Sequence, residues 1–196
     1  MKHTRGRQQS HAGGGQLRII GGTWRSRKLP VADVEGLRPT PDRVRETLFN
    51  WLTGWVADAR CLDAFSGTGA LGLEALSRGA SETVFLEYSA KAAQTLKNNL
   101  QALRSENARV EQTDALQWLS RPALQTFNLV FLDPPFRKQL LQPVCEQLQS
   151  NGWLAQDALV YVEAEKELSP LPVPANWELW KEKSAGQVIS CLYRVV

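Results

Sequence analysis

Apolar residues in this chain fall into short runs divided by polar and glycine-containing turns, and the period inside the runs changes from one to the next. Runs at Glu82–Glu87, Ala108–Gln112, Phe127–Leu132, 158–163, 177–183 and 187–195 have strand length and strand composition, and another begins at Cys61. Leu17-Arg18-Ile19-Ile20 predicts the first strand of an N-terminal hairpin. Helical spacing intervenes. Val44, Leu48, Trp51 and Trp55 recur at i, i+4, i+7 and i+11, behind Thr40 as a cap and Pro41 at the first helical position. Further helices are predicted from the glycines near residue 69 to about Arg78 and over 138–150. This alternation predicts an α/β domain with a mostly parallel, Rossmann-like sheet and helices on both faces. Ala185-Gly186 splits the last two strands into a hairpin, which makes one terminal strand antiparallel. Pro170, Pro172 and Pro174 keep the preceding segment extended. No internal repeat occurs, and one domain over 16–196 is expected, with a hairpin extension at 16–40 and a basic tail at 1–15.

Chemistry concentrates at the ends of the strand-like runs. Asp133-Pro134-Pro135-Phe136 follows Phe127–Leu132 directly and joins a carboxylate, a rigid turn and an aromatic ring. The two prolines fix φ and lack N–H groups, so the carbonyls beside them point outward with few alternatives, which suits gripping a planar amino group. Phe136 offers a flat stacking surface. Upstream, Cys61-Leu62-Asp63-Ala64-Phe65-Ser66-Gly67-Thr68-Gly69-Ala70-Leu71-Gly72 reads as strand, glycine turn and helix start. Gly67 and Gly69 permit positive φ and close backbone approach, and the free N–H groups of the helix start attract an anion.

The spacing Gly67-x-Gly69-x-x-Gly72 also fits a dinucleotide fingerprint. Asp63 tips the choice. A carboxylate beside the loop repels a pyrophosphate and suits a cofactor carrying an ammonium and a sulfonium. Glu87 ends the next strand, where a carboxylate can bind both ribose hydroxyls, and Asp114 follows the third strand, near the place of an adenine amino group. Thr40, Phe65, Ser66 and Ala115 complete the candidate cofactor contacts. Asp63, Glu87, Asp114 and Asp133 thus stand in order at successive strand ends, where open α/β sheets bind ligands.

Charge is distributed unevenly. Residues 1–30 hold seven basic residues and no acid, which leaves sixteen basic against twenty acidic residues beyond, a net of −4. Arg5 and Arg7 in the tail, Arg18, Arg25, Arg27 and Lys28 in the hairpin, and Arg38 and Arg43 near the following helix are the candidate contacts to nucleic-acid phosphate. The glycine- and glutamine-rich first fifteen residues are expected to order only on meeting phosphate. The three cysteines, Cys61, Cys145 and Cys191, lack metal-ligand spacing and predict reduced, buried thiols, hence a cytoplasmic protein; no metal site is expected. No apolar run is long enough to span a bilayer, and the basic start lacks the apolar stretch of a secretory signal.

On these motifs the chain resembles a class I S-adenosylmethionine-dependent methyltransferase, and in particular the bacterial 16S ribosomal RNA (guanine-N2)-methyltransferase family that modifies guanine 966. The resemblance rests on Arg38-Pro39-Thr40, Arg43-Val44-Arg45-Glu46, Leu48-Phe49-Asn50, the stretch from Asp63 to Gly72, and Asp133 to Phe136. It implies a seven-stranded sheet, S-adenosylmethionine as cofactor, a small-subunit RNA partner, catalytic roles for Asp133, Pro134, Pro135 and Phe136, and direct displacement by an exocyclic amine. A monomer is expected. A DNA adenine-N6 or protein glutamine methyltransferase could use the same grip. An NAD-linked oxidoreductase would need an acid–base group, and the only histidines, His3 and His11, lie in the tail. A non-catalytic RNA-binding protein would leave the cofactor loop and Asp133 without a purpose.

Overall fold

A computed structural model describes residues 15–196. Its centre is a seven-stranded sheet built from β3 (Arg60–Asp63), β4 (Glu82–Glu87), β5 (Ala108–Gln112), β6 (Phe127–Leu132), β7 (Leu154–Glu165), β8 (Trp177–Ala185) and β9 (Val188–Val195). The strand order is β5-β4-β3-β6-β7-β9-β8. The five strands from β5 to β7 pair in parallel, while β9 lies antiparallel between β7 and β8. The expected terminal hairpin therefore exists, and its last strand is the inserted one. A short antiparallel hairpin, β1 (Gln16–Arg18) with β2 (Lys28–Pro30), stands apart from the sheet.

Period-2 alternation sorts the strand residues between two helical layers. Leu62, Val84, Leu86, Val130, Leu132, Val160 and Val162 face α4 (Ala115–Leu119) and α5 (Leu141–Ser150). Cys61, Leu129, Phe131, Leu159 and Tyr161 face α1 (Asp42–Trp51) and α2 (Ala70–Ser77). The hairpin contributes Leu17, Ile19, Leu29 and Val31 to a third cluster, against α2 and α3 (Ala90–Ala102). It is thus docked by its apolar side. All three cysteines are buried and free. Among the described residues, no helix is long and apolar enough to cross a membrane, and no cluster of metal-ligating side chains occurs.

Three helix expectations need correction. Pro41, not Thr40, flanks the start of α1; its ψ of 146° is still extended, and no side chain caps the helix. The helix also stops at Trp51, ahead of Gly54 at φ 84°, so Trp55 falls outside it, exposed and edge-on to Trp180. The buried face is Arg45, Leu48, Phe49 and Leu52, and Val44 and Trp51 are only half-buried. A buried ion pair at Arg45 sets that rotation. The helix expected from 138 begins instead at Leu141, because Arg137 and Gln139 adopt φ of 58° and 54° in the connecting loop.

Candidate active site

One cleft of about 660 Å³ opens beyond the C-terminal ends of β3, β4, β5 and β6. It collects Asp63, Phe65, Ser66, Gly67, Glu87, Asp114, Ala115 and Thr40 with Asp133, Pro134, Pro135 and Phe136. Four segments far apart in sequence meet there because parallel strands bring their carboxyl ends to one edge of the sheet. Gly69 is the exception. Its φ of 79° is the left-handed conformation that favours glycine, and a Cβ there would also press on Leu96 Cδ1 of α3 at 2.5 Å. Gly72 likewise lies against the Phe85 ring.

The acids are held by backbone donors. Glu87 accepts from Gly67 N at 2.7 Å and from Ser89 N at 2.8 Å, which ties the glycine loop to the tip of β4. Asp63 is buried and accepts from Gly72 N at 3.0 Å, inside the first turn of α2. Asp114 caps α4 through Gln117 N at 2.9 Å. Burial pushes Asp63 up to about 7, opposed by the Gly72 N–H, and raises Glu87. Five carboxylates line the cleft, Glu35, Asp63, Glu87, Asp114 and Asp133, against a single guanidinium, the exposed Arg38. This donor set fits S-adenosylmethionine, whose sulfonium and ammonium meet carboxylates and whose ribose hydroxyls need acceptors. A pyrophosphate would meet the repulsion of five carboxylates, with the exposed Arg38 as the one cationic side chain in the lining.

The pH dependence follows from Asp63. Its carboxyl is raised from an ordinary 3.8 to about 7, so its contribution to stability is complete below about 3.8 and is lost as pH rises through 7. Asp63→Asn is expected to raise the melting temperature of the cofactor-free protein at pH 8, by the equivalent of about 2–4 kcal/mol, with no gain at pH 4. Added S-adenosylmethionine should stabilise the variant less than the wild type. Melting curves at the two pH values, with and without cofactor, check both effects.

Residues 34–37 of the cleft, and Glu163 beside Asp133, escaped the sequence reading, whereas Arg38 was among its candidates. Residues 34–38 form a strap over the cleft between β2 and α1, pinned by Asn99 Nδ2 on the Pro30 carbonyl at 3.0 Å, Lys91 Nζ on the Asp33 carbonyl at 2.7 Å and Arg45 Nε on the Thr40 carbonyl at 3.0 Å. A strap of this kind has no hydrophobic period to reveal it. Glu163, 6% exposed on β7, stands beside Asp133 in the sheet. Its signal was legible, an acid inside the apolar run from Ala158 to Ala164, but it read as a strand end.

The basic candidates divide differently. Arg25, Arg27 and Lys28 are exposed at the hairpin turn and Arg43 on α1, while Arg38 alone reaches the cleft. Arg18 is half-exposed and bound to Asp42 at 2.6 Å. Arg5 and Arg7 lie outside the described residues. Arg45 is no surface residue. It is 1% exposed and reaches Glu74 at 3.2 Å, Asp42 at 2.5 Å and the Arg18 carbonyl at 2.8 Å. Glu74, fully buried on α2, also accepts from Ile20 N at 3.0 Å, Gly21 N at 2.7 Å and Arg78 Nε at 2.9 Å, so one carboxylate ties the hairpin, α1 and α2 together.

Residues 17–194 match the family described as conserved hypothetical protein 95. Ribosomal RNA small subunit methyltransferase D of Escherichia coli is 53% identical over 188 residues, covering 96% of this chain and 94% of that protein. The protein of that name from Haemophilus influenzae is 51% identical, covering 92% and 94%. A solved structure from Escherichia coli, described as a methyltransferase, superposes with a TM-score of 0.87 at 52% identity, covering 92% of this chain and 98% of that one.

Proposed function

This chain belongs to the ribosomal RNA small subunit methyltransferase D family, and from that premise we propose that it methylates the exocyclic N2 of a guanine in 16S ribosomal RNA, at position 966 by family resemblance. It is an S-adenosylmethionine-dependent methyltransferase. The observation that carries the reading is the union of the Asp133-Pro134-Pro135-Phe136 turn with the acid-rich cofactor cleft in one space. S-adenosylmethionine, when bound, supplies a methyl group made electrophilic by its sulfonium. The residues of this chain do the rest. Asp63, Glu87 and Asp114 bind and orient the cofactor, with Phe65, Ser66, Gly67, Ala115 and Thr40 shaping its walls. Asp133 and the carbonyls of the proline turn accept the N–H groups of the target amine, whose lone pair is otherwise delocalised into the ring. Holding it against the donor in reacting orientation supplies much of the rate. Phe136, exposed at the mouth, stacks on the base turned out of its helix, worth roughly 1–3 kcal/mol against the cost of extrusion.

RNA phosphates are read by the basic hairpin, through Arg25, Arg27 and Lys28, with Arg18, Arg38 and Arg43 and the tail arginines Arg5 and Arg7. A domain of this size reads the shape of a folded RNA loop, within an assembling small subunit, more readily than a long sequence. A cytoplasmic monomer completes the reading. Nucleoside analysis of small-subunit RNA from cells with and without the protein is the test. The expected result is loss of one N2-methylguanine, restored by the wild type. Loss of methyladenine or of methylated protein glutamine, with N2-methylguanine intact, would reject the target.

A further inference from the structure

We propose that Glu163 is a positioning residue for methyl transfer: it stays protonated beneath Asp133 and donates a hydrogen bond that fixes the Asp133 carboxylate, with its charge, toward the target amine. This rests on the reading of Asp133 as the acceptor for that amine. The geometry comes from the sheet. Leu132 pairs with Val162 across the parallel β6–β7 ladder, so the next residues stand side by side, Asp133 just past the end of β6 and Glu163 within β7, and parallel neighbours project to the same face. Glu163 is opposite Ser190 on β9. The two carboxyl groups are within hydrogen-bonding reach of each other, and neither forms an ion pair among the described residues.

Two adjoining carboxyl groups, one buried and one half-buried, cannot both be ionised cheaply without a cation, so the pair holds one proton between them at neutral pH. Burial raises Asp133 to about 6. Burial and the neighbouring Asp133 charge raise Glu163 to about 8. The other groups facing the pair add no positive charge. Tyr161 on β7 is buried and held neutral, Asp63 on β3 is itself an acid, and Ser190 is uncharged. The proton therefore resides on Glu163, the deeper group, and Asp133 at the cleft is the one left ionised. A charged acceptor strengthens the bonds to the target N–H groups, and the Glu163 hydroxyl removes one of the two directions in which the carboxylate could turn.

The consequence is a pH signature. Turnover by the wild type is expected to rise as Asp133 ionises near pH 6 and to fall above about pH 8, when Glu163 loses its proton and faces Asp133 as a second buried charge. Glu163→Leu should lower kcat by roughly ten- to a hundredfold, with the S-adenosylmethionine dissociation constant and the KM for RNA little changed. Glu163→Gln supplies a donor that does not titrate, so it should restore most of that loss and abolish the alkaline fall. The experiment is kcat against pH for the three proteins on small-subunit RNA, with cofactor binding measured by thermal shift to show that each variant is folded. An alkaline limb in Glu163→Gln that coincides with the wild type's, or wild-type kcat in Glu163→Leu, overturns the proposal while leaving the target intact. A wild type that places no methyl group on guanine N2 overturns the underlying reading instead.

Discussion

Asp133→Ala is expected to lower methyl transfer by roughly 10²–10⁴-fold while S-adenosylmethionine binding changes little. The split follows from where Asp133 stands. It follows β6 directly, at the start of the proline turn, whereas the acids assigned to the cofactor sit on β3, β4 and the start of α4. Removing it leaves Pro134 and Pro135 to shape the turn but deletes the charged acceptor for the amine. It also leaves the buried Glu163 without its partner. Single-turnover assays with saturating RNA, beside calorimetric titration of the cofactor, separate the two quantities. Turnover near the wild-type rate would show that the amine is gripped elsewhere, and a large loss of cofactor affinity would make Asp133 part of the cofactor site.

The second large effect concerns stability. Glu74→Ala is expected to destabilise the domain by about 3–5 kcal/mol, since it leaves the Arg45 guanidinium buried without its central partner. The same change frees the N–H groups of Ile20 and Gly21 and releases Arg78, so the hairpin should loosen more than the sheet. Chemical denaturation measures the total. Hydrogen exchange at residues 17–31 locates it, and exchange no faster there than in β3 would mean that Leu17, Ile19 and Leu29 hold the hairpin without the carboxylate.

How much of this was legible in the sequence depends on the kind of signal. The ends of β4 and β6 matched their apolar runs, because their inner residues are buried between two helical layers, whereas β5 at the sheet edge buries none of its five residues. Asp63, Glu87 and Asp133 were legible for the same reason, as polar residues stopping such runs, and Asp114 only as the acid that stands in series with them. The face of α1 was not. Its spacing favoured the tryptophans, but the helix turned to satisfy Arg45, whose partner Glu74 lies on another helix and leaves no periodic trace. Arg45 stood in the same motif as Arg43 and carried the same charge, and only the fold separates the buried one from the exposed one. Glu163 was visible as an acid in an apolar run, but its significance comes from Asp133, just past β6, which no local pattern names.

The pinning of the strap also orders events during synthesis. Gly21 waits for Glu74, 53 residues further on, and Pro30 waits for Asn99, 69 further on. Contacts at such separations form only after the intervening chain has been made and folded. The hairpin therefore finds its place only after α2 and α3 have been made, and the roof of the cofactor cleft closes only over a domain in which both are already in position. A nascent fragment ending before α3 has a glycine loop but no pinned roof to hold a cofactor against it, so methyl-transfer competence waits for α3 and, beyond it, for the turn at Asp133.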